Sequence, residues 1–140
     1  MVIKKRFFVA IMAVLLILGC IPPKSPTAVP QEQQSPERIA FQALVTGQDI
    51  YLNGMTTGKF LYEQKVITKA QWDAFKAGPA LTYYNAWMAA DKAVQTWATM
   101  PAADPKKPQA LALAEKAMTA FVASQADFVK LLGQFHKITK

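Results

Sequence analysis

Apolar positions in the last third of the chain recur at intervals of three and four. Leu111, Ala114, Met118, Phe121, Gln125, Phe128, Leu132 and Phe135 are spaced 3, 4, 3, 4, 3, 4 and 3. A mean period just under 3.5 is that of helices packed in a left-handed supercoil. Val122 and Val129 widen the stripe, and the pattern predicts one helix over 105–138. Upstream, Tyr83, Trp87, Ala90, Val94 and Trp97 share one face of a helix predicted over 69–99. Trp72 and Phe75 extend its apolar content toward the start. Projected backward, that face takes in Lys76. Gly78-Pro79 accounts for the fault, because proline removes a hydrogen bond and kinks or re-phases the helix. Two helices, 69–77 and 80–99, are the alternative. Over 37–65, Ile39, Ala43, Ile50 and Leu61 suit one side, and Ala40, Leu44, Tyr51, Met55 and Tyr62 the next. Gly47, Gly54 and Gly58 each cost about 1 kcal/mol relative to alanine inside a helix. The first helix either breaks near 54–58 or runs on, with the glycines letting the rings of Trp87 and Trp97 pack close to its backbone.

Punctuation between the stripes sets the architecture. Thr68 and Gln71 form a capping box, with Ile67 and Trp72 as the hydrophobic staple, so a helix starts at Lys69. Asp104 suits an N-cap and Pro105 a first helical position. Three segments of about 45 Å joined by short connections predict antiparallel neighbours. The expected fold is all-α, an elongated antiparallel three-helix bundle over 37–140, with helices near 37–65, 69–99 and 105–138.

The chain ahead of the bundle follows a different logic. Lys4, Lys5 and Arg6 precede an unbroken apolar run from Phe7 to Leu18, which Gly19 and Cys20 end. Twelve helical residues span about 18 Å, against about 30 Å of hydrocarbon. That length fits the apolar core of a signal peptide and not a spanning helix. The run Ile17-Leu18-Gly19-Cys20 resembles the lipobox of bacterial prolipoproteins, with an aliphatic residue at −3, a small one at −1 and then cysteine. Leu18 is bulkier than the alanine or serine usual there. The resemblance implies cleavage of residues 1–19 and diacylation of Cys20 through a thioether, with N-acylation (palmitate or a similar chain) in many bacteria. The competing reading is an uncleaved anchor, or a plain secretory leader with an incidental cysteine. Each buried CH₂ of acyl chain contributes about 0.8 kcal/mol, so two or three chains would hold the protein on the membrane. Residues 20–36, with Pro22, Pro23, Pro26, Pro30 and Pro36, form a disordered, extended tether reaching up to roughly 50 Å. Pro23-Lys24-Ser25-Pro26 matches a PxxP spacing only trivially.

Charge and cysteine count then narrow the function. The chain has 16 basic and 9 acidic residues and one cysteine. Loss of the leader leaves 13 basic against 9 acidic, a net charge of +4. The basic residues are scattered, and Arg38 is the one arginine left, so no nucleic-acid partner is expected. A single cysteine permits no internal disulfide. With Cys20 acylated, no free thiol remains, which suits an oxidising envelope. Ile21 follows Cys20; in Gram-negative lipoproteins, which the leader resembles, aspartate there retains the protein at the inner membrane. The expected location is therefore the bacterial cell envelope, and the outer membrane if the cell has one.

Leu61-Tyr62, Lys65-Val66-Ile67-Thr68 and Gln71 resemble a second group. These are small bacterial and prophage-associated helical-bundle lipoproteins in which an "LY…GKIT…Q" run joins two long helices. The sequence departs from that run at Val66. The resemblance implies the fold and no activity.

Candidate chemistry is sparse. His136 is the one histidine, near the end of the third helix. As a haem or metal ligand it would take Met55, Met88 or Met118 as thioether partner. There is no CxxCH, no second histidine and no spare cysteine. Asp91 flanks the aromatic face and is expected to bond a tyrosine hydroxyl or tryptophan N–H. Gln125, in mid-stripe, is expected to set helix register, the alternative being a hydrogen-bonding group at a partner groove. Tyr83, Tyr84, Trp87 and Trp97 exceed what one core face needs, leaving Tyr84 and Met88 as partner-binding candidates. No catalytic residue, cofactor or metal site is assigned, and the chain is not expected to be an enzyme. The expected role is a membrane-anchored structural or protein-interaction module, held by lipid on Cys20 and bound to an unidentified protein. A pilotin-like chaperone for an amphipathic partner helix is the alternative, and a haem-binding bundle a third.

Overall fold

The computed structural model describes residues 35–138, without the side chains at 136 and 138. The expected leader, Cys20 and nearly all of the tether lie outside the described residues. Among the described residues there is no strand, and the fold is an all-α three-helix bundle.

Helix α1 spans Pro36–Glu63. Ser35 caps it, its Oγ accepting the Arg38 N–H at 3.2 Å, while Pro36 and Glu37 suit the first turn by fixed φ and by charge. Of the two readings open for 54–58, the continuous one holds, and α1 runs unbroken. Its end is a Schellman motif. The Lys65 N–H donates to the Tyr62 carbonyl at 3.0 Å and the Val66 N–H to the Leu61 carbonyl at 2.9 Å. Lys65 stands at φ 58°, in the left-handed position that glycine usually fills.

Helix α2 (Lys69–Phe75), a π-helical turn (Lys76–Ala80) and helix α3 (Leu81–Thr99) follow one another without a gap. The capping box at the start is formed in both directions, Gln71 N–H to Thr68 Oγ1 at 3.2 Å and Thr68 N–H to Gln71 Oε1 at 2.8 Å. The π turn resolves the fault at Gly78-Pro79. Pro79 has no N–H to return to the carbonyl four residues back. A π turn reaches five residues instead, and absorbs one extra residue. Buried positions accordingly run Trp72, Phe75, Ala80, Tyr83, a spacing of 3, 5 and 3. Lys76 is thereby turned outward, 3.2 Å from Asp73 and over the Trp72 ring. The segment is re-phased, not divided into two helices.

Helix α4 spans Lys107–Ile138. Pro105 falls in the turn before it rather than at its first position. Asp104, expected as the N-cap, also stands in that turn, its Oδ1 accepting the Lys106 N–H at 2.8 Å ahead of the first helical residue. Ala114, Met118, Phe121, Gln125, Phe128 and Phe135 are buried and Leu111 and Leu132 half-buried, so the 3–4 stripe is the core face. Val129 is exposed and does not widen it.

Contacts between named residues give the directions. Gly47 meets Phe121 and Gly54 meets Phe128, so α1 and α4 run parallel. Leu44 meets Trp87, Gly47 meets Tyr83 and Gly58 meets Trp72, so the α2–α3 rod is antiparallel to α1. Along the axis stands a column of rings. Centroid separations are 6.5 Å for Tyr62–Trp72, 5.8 Å for Trp72–Phe75, 5.4 Å for Phe75–Phe128, 4.9 Å for Phe128–Tyr83 and 5.5 Å for Tyr83–Phe121. Most are nearly parallel, in the range of favourable offset stacking.

The α1 glycines make room for that column. A Cβ built on Gly47 would lie 2.2 Å from Phe121 Cζ, one on Gly54 2.5 Å from Phe128 Cζ, and one on Gly58 2.6 Å from Trp72 Cζ3. The rings over the three glycines are therefore Phe121, Phe128 and Trp72, with Tyr83 at Gly47. The Trp87 and Trp97 rings expected there are not the ones at the glycines, and Trp87 reaches the α1 backbone at Leu44 instead. All three glycines are buried, so α1 has no exposed glycine edge.

Candidate functional site

Two aromatic residues of α3 bond the α1 backbone. The Tyr83 hydroxyl donates to the Gly47 carbonyl at 2.7 Å, and Trp87 Nε1 donates to the Leu44 carbonyl at 2.8 Å. Both carbonyls are helical, so these are additional bonds, and the bare backbone at Gly47 lets the phenol reach its target. Gln125 is buried, 6% exposed, with its side-chain amide 3.4 Å from the Tyr83 oxygen. The bond to Gly47 is the shorter and stronger, and Gln125 Oε1 is a second, longer acceptor for the same hydroxyl. This chain of polar groups links all three helices in mid-core, which is a structural use of Gln125. Asp91 has a different partner from the one expected, accepting from Gln95 Nε2 at 2.8 Å.

Burial pushes the Tyr83 phenol well above its ordinary pKa. The unfolded chain then loses this proton at lower pH than the bundle does. The contribution is intact below the ordinary tyrosine value near 10 and is lost as pH rises past it. Melting temperature should therefore fall from about pH 10 upward, and Tyr83→Phe should show a shallower alkaline fall. At neutral pH that variant should lose about 0.5–1.5 kcal/mol, the net worth of its hydrogen bond. Thermal melts of both proteins from neutral to strongly alkaline pH check this. Parallel curves would mean that the phenol titrates as if in water.

Tyr84 and Met88 lie one turn apart and are 41% and 48% exposed. Tyr84 is not isolated. Its ring centroid is 5.6 Å from Tyr51 of α1 and 6.3 Å from Trp87. Its inner edge is thus fixed by the bundle and its outer face meets solvent. Val45 and Leu52 of α1 and Leu81 of α3 are exposed as well.

A second surface lies between α3 and α4. It is an open groove of about 700 Å³, lined by Ala89, Ala93, Ala110, Ala117, Ala120 and Met100, with Ala93, Ala110 and Ala117 its more buried alanines. Leu113, 58% exposed, stands on its wall. Lys92, Lys106 and Lys116 rim it, and no carboxylate lines it. The sequence reading missed this groove because its alanines passed as helix formers. The signal was a second stripe, Ala110-Leu113-Ala117-Ala120, one residue out of step with the core stripe of α4. A smaller, more polar hollow of about 410 Å³ lies beside Pro79, with Asp127 and Lys130 in its wall.

Of the thioether candidates, Met118 is buried, Met55 half-buried and Met88 exposed. The His136 side chain and Cys20 fall outside what is described. Among the described residues no group of three or more His, Cys, Asp and Glu side chains converges, and no helix is long and apolar enough to cross a membrane. No protein family matches this sequence, and comparison with curated proteins and with solved structures finds no match.

Proposed function

We propose that this chain is a lipid-anchored protein of the bacterial cell envelope whose helical body acts by binding another protein and not by catalysis. The anchor rests on Ile17-Leu18-Gly19-Cys20 behind its basic and apolar leader. Ile21 after the cysteine favours the outer membrane in a Gram-negative cell. Binding rests on one observation above all, the exposed outer faces of Tyr84 and Met88 on a rod whose inner face already fills the core. Large apolar side chains left outside a satisfied core are the usual material of contact sites.

Cys20→Ala should abolish incorporation of labelled fatty acid and processing by the lipoprotein peptidase. Undiminished incorporation would sink the anchor. Tyr84→Ala/Met88→Ala should cost no more than about 1 kcal/mol of stability, as exposed positions do, while reducing cross-linking to a protein partner in the native membrane. A large stability loss would place both residues in the core, and unchanged capture would move the interface elsewhere.

A chaperone role of the pilotin kind, holding an amphipathic helix, is the second reading. The open groove between α3 and α4 favours it.

A further inference from the structure

We propose that the groove between α3 and α4 docks an acidic amphipathic helix of a partner protein. The inference rests on the binding reading and assigns it a second surface, away from Tyr84 and Met88. Its dimensions suit a helix. Ala89 to Met100, just past the end of α3, covers about 16 Å, and Lys106, just ahead of α4, to Ala120 about 21 Å, room for three to four turns. Helix α1 occupies one side of the α3–α4 pair, and the groove lies on the other, the place of a fourth helix in a four-helix bundle. Alanines along the floor let an incoming helix approach closely. Leu113 and Met100 offer it apolar surface that is now in water.

Charge selects the occupant. Lys92, Lys106 and Lys116 stand on the rim, and among the described residues none of them pairs with a carboxylate. Of the acids nearest in sequence, Asp104 accepts the Lys106 N–H and Asp91 the Gln95 amide, while Glu115, beside Lys116, forms no ion pair with it and has its Oε1 buried. A helix with a small apolar stripe flanked by Asp or Glu would bury the floor and pair all three lysines, whose stems can follow its path. A second copy fits poorly. Groove against groove sets lysine against lysine, and among the described residues no helix carries acids at one-turn spacing along an apolar stripe. The first 34 residues fit no better, with Lys4, Lys5, Arg6 and Lys24 against Glu32 alone. A lipid surface, being flat, would not fill a concave groove.

The test uses the full chain in zwitterionic nanodiscs and two synthetic 18-residue helical peptides. Both carry the same Ala/Leu stripe, one flanked by glutamates and the other by lysines. By fluorescence anisotropy the glutamate peptide should bind at least about tenfold tighter, a modest gain for each of three rim pairs. Lys92→Glu/Lys106→Glu/Lys116→Glu should invert the preference with an unchanged circular dichroism spectrum. Ala93→Leu/Ala120→Leu, which fills the groove and spares its lysines, should weaken the glutamate peptide about as much. Equal affinity of the wild type for both peptides overturns the proposal, as does indifference to the groove variants. Groove-dependent dimers in sedimentation, or groove-dependent binding to anionic vesicles without peptide binding, would assign the site to a second copy or to lipid. A failed peptide assay leaves fatty-acid labelling at Cys20 and capture at Tyr84 and Met88 untouched, so the two readings fail separately.

Discussion

Phe128→Ala should destabilise the bundle by about 3–5 kcal/mol, the range for a large buried ring cut back to a methyl. Phe128 is fully buried in mid-column. Its ring stacks on Tyr83 at 4.9 Å and meets Phe75 at 5.4 Å and Tyr51 at 5.9 Å, so it touches rings from both other segments. It also covers the backbone of α1 at Gly54. The neighbours that would have to move into the cavity are rigid rings, themselves stacked, so collapse is poor and the loss belongs at the upper end. Domains are stable by only about 5–15 kcal/mol in total, so the variant should unfold at far lower urea. Chemical denaturation followed by circular dichroism measures it. A loss below about 0.5 kcal/mol, the size of a surface change, would mean that the stripe of α4 faces away from the core.

That stripe was legible because a long, regular helix face is a repeating signal. Eight positions at alternating spacing leave little freedom, and Val129, just beside the stripe, was the position misplaced. The capping box at Thr68 was legible for a different reason, since both of its bonds lie within four residues and need no tertiary partner. The fault at Gly78-Pro79 showed in the sequence, but its form did not. A missing N–H can end, bend or re-phase a helix, and the choice belongs to the packing of Phe75 and Tyr83 on α4. Along helix α1 the sequence left both outcomes open. Local propensity counts Gly47, Gly54 and Gly58 as breaks, whereas tertiary packing needs them as bare backbone under three rings. The polar link Gly47–Tyr83–Gln125 joins residues 36 and 42 positions apart, and no local rule would pair them. Tyr84 and Met88 were found by counting surplus aromatic surface. The lysine-rimmed groove escaped because alanine raises no hydrophobic signal while still leaving an apolar floor.

Gly54→Leu should be among the most damaging single changes in the protein. A Cβ at Gly54 already falls 2.5 Å from two Phe128 ring atoms and 2.7 Å from Leu132 Cδ1. The ring is pinned by its neighbours and cannot yield cheaply. Even Gly54→Ala must displace it. Overpacking of this kind costs about 1–3 kcal/mol for one inserted group, against about 1 kcal/mol regained in helix propensity, so alanine should be net destabilising. Leucine adds three further carbons to a space that lacks room for the first, and should exceed that range. Gly133 supplies the control. It lies in α4 with nothing within 4 Å of its Cβ position, so Gly133→Ala should stabilise by about 0.4–1 kcal/mol. The decisive comparison is the cycle of Gly54→Ala with Phe128→Ala. If the ring is what forbids the methyl, removing the ring should turn the Gly54→Ala change from harmful to stabilising, a coupling of about 1–3 kcal/mol between residues in contact. Denaturation midpoints of the four proteins measure it. Additive effects would mean that α1 and α4 do not meet at this pair, and the register of the two parallel helices would have to be redrawn.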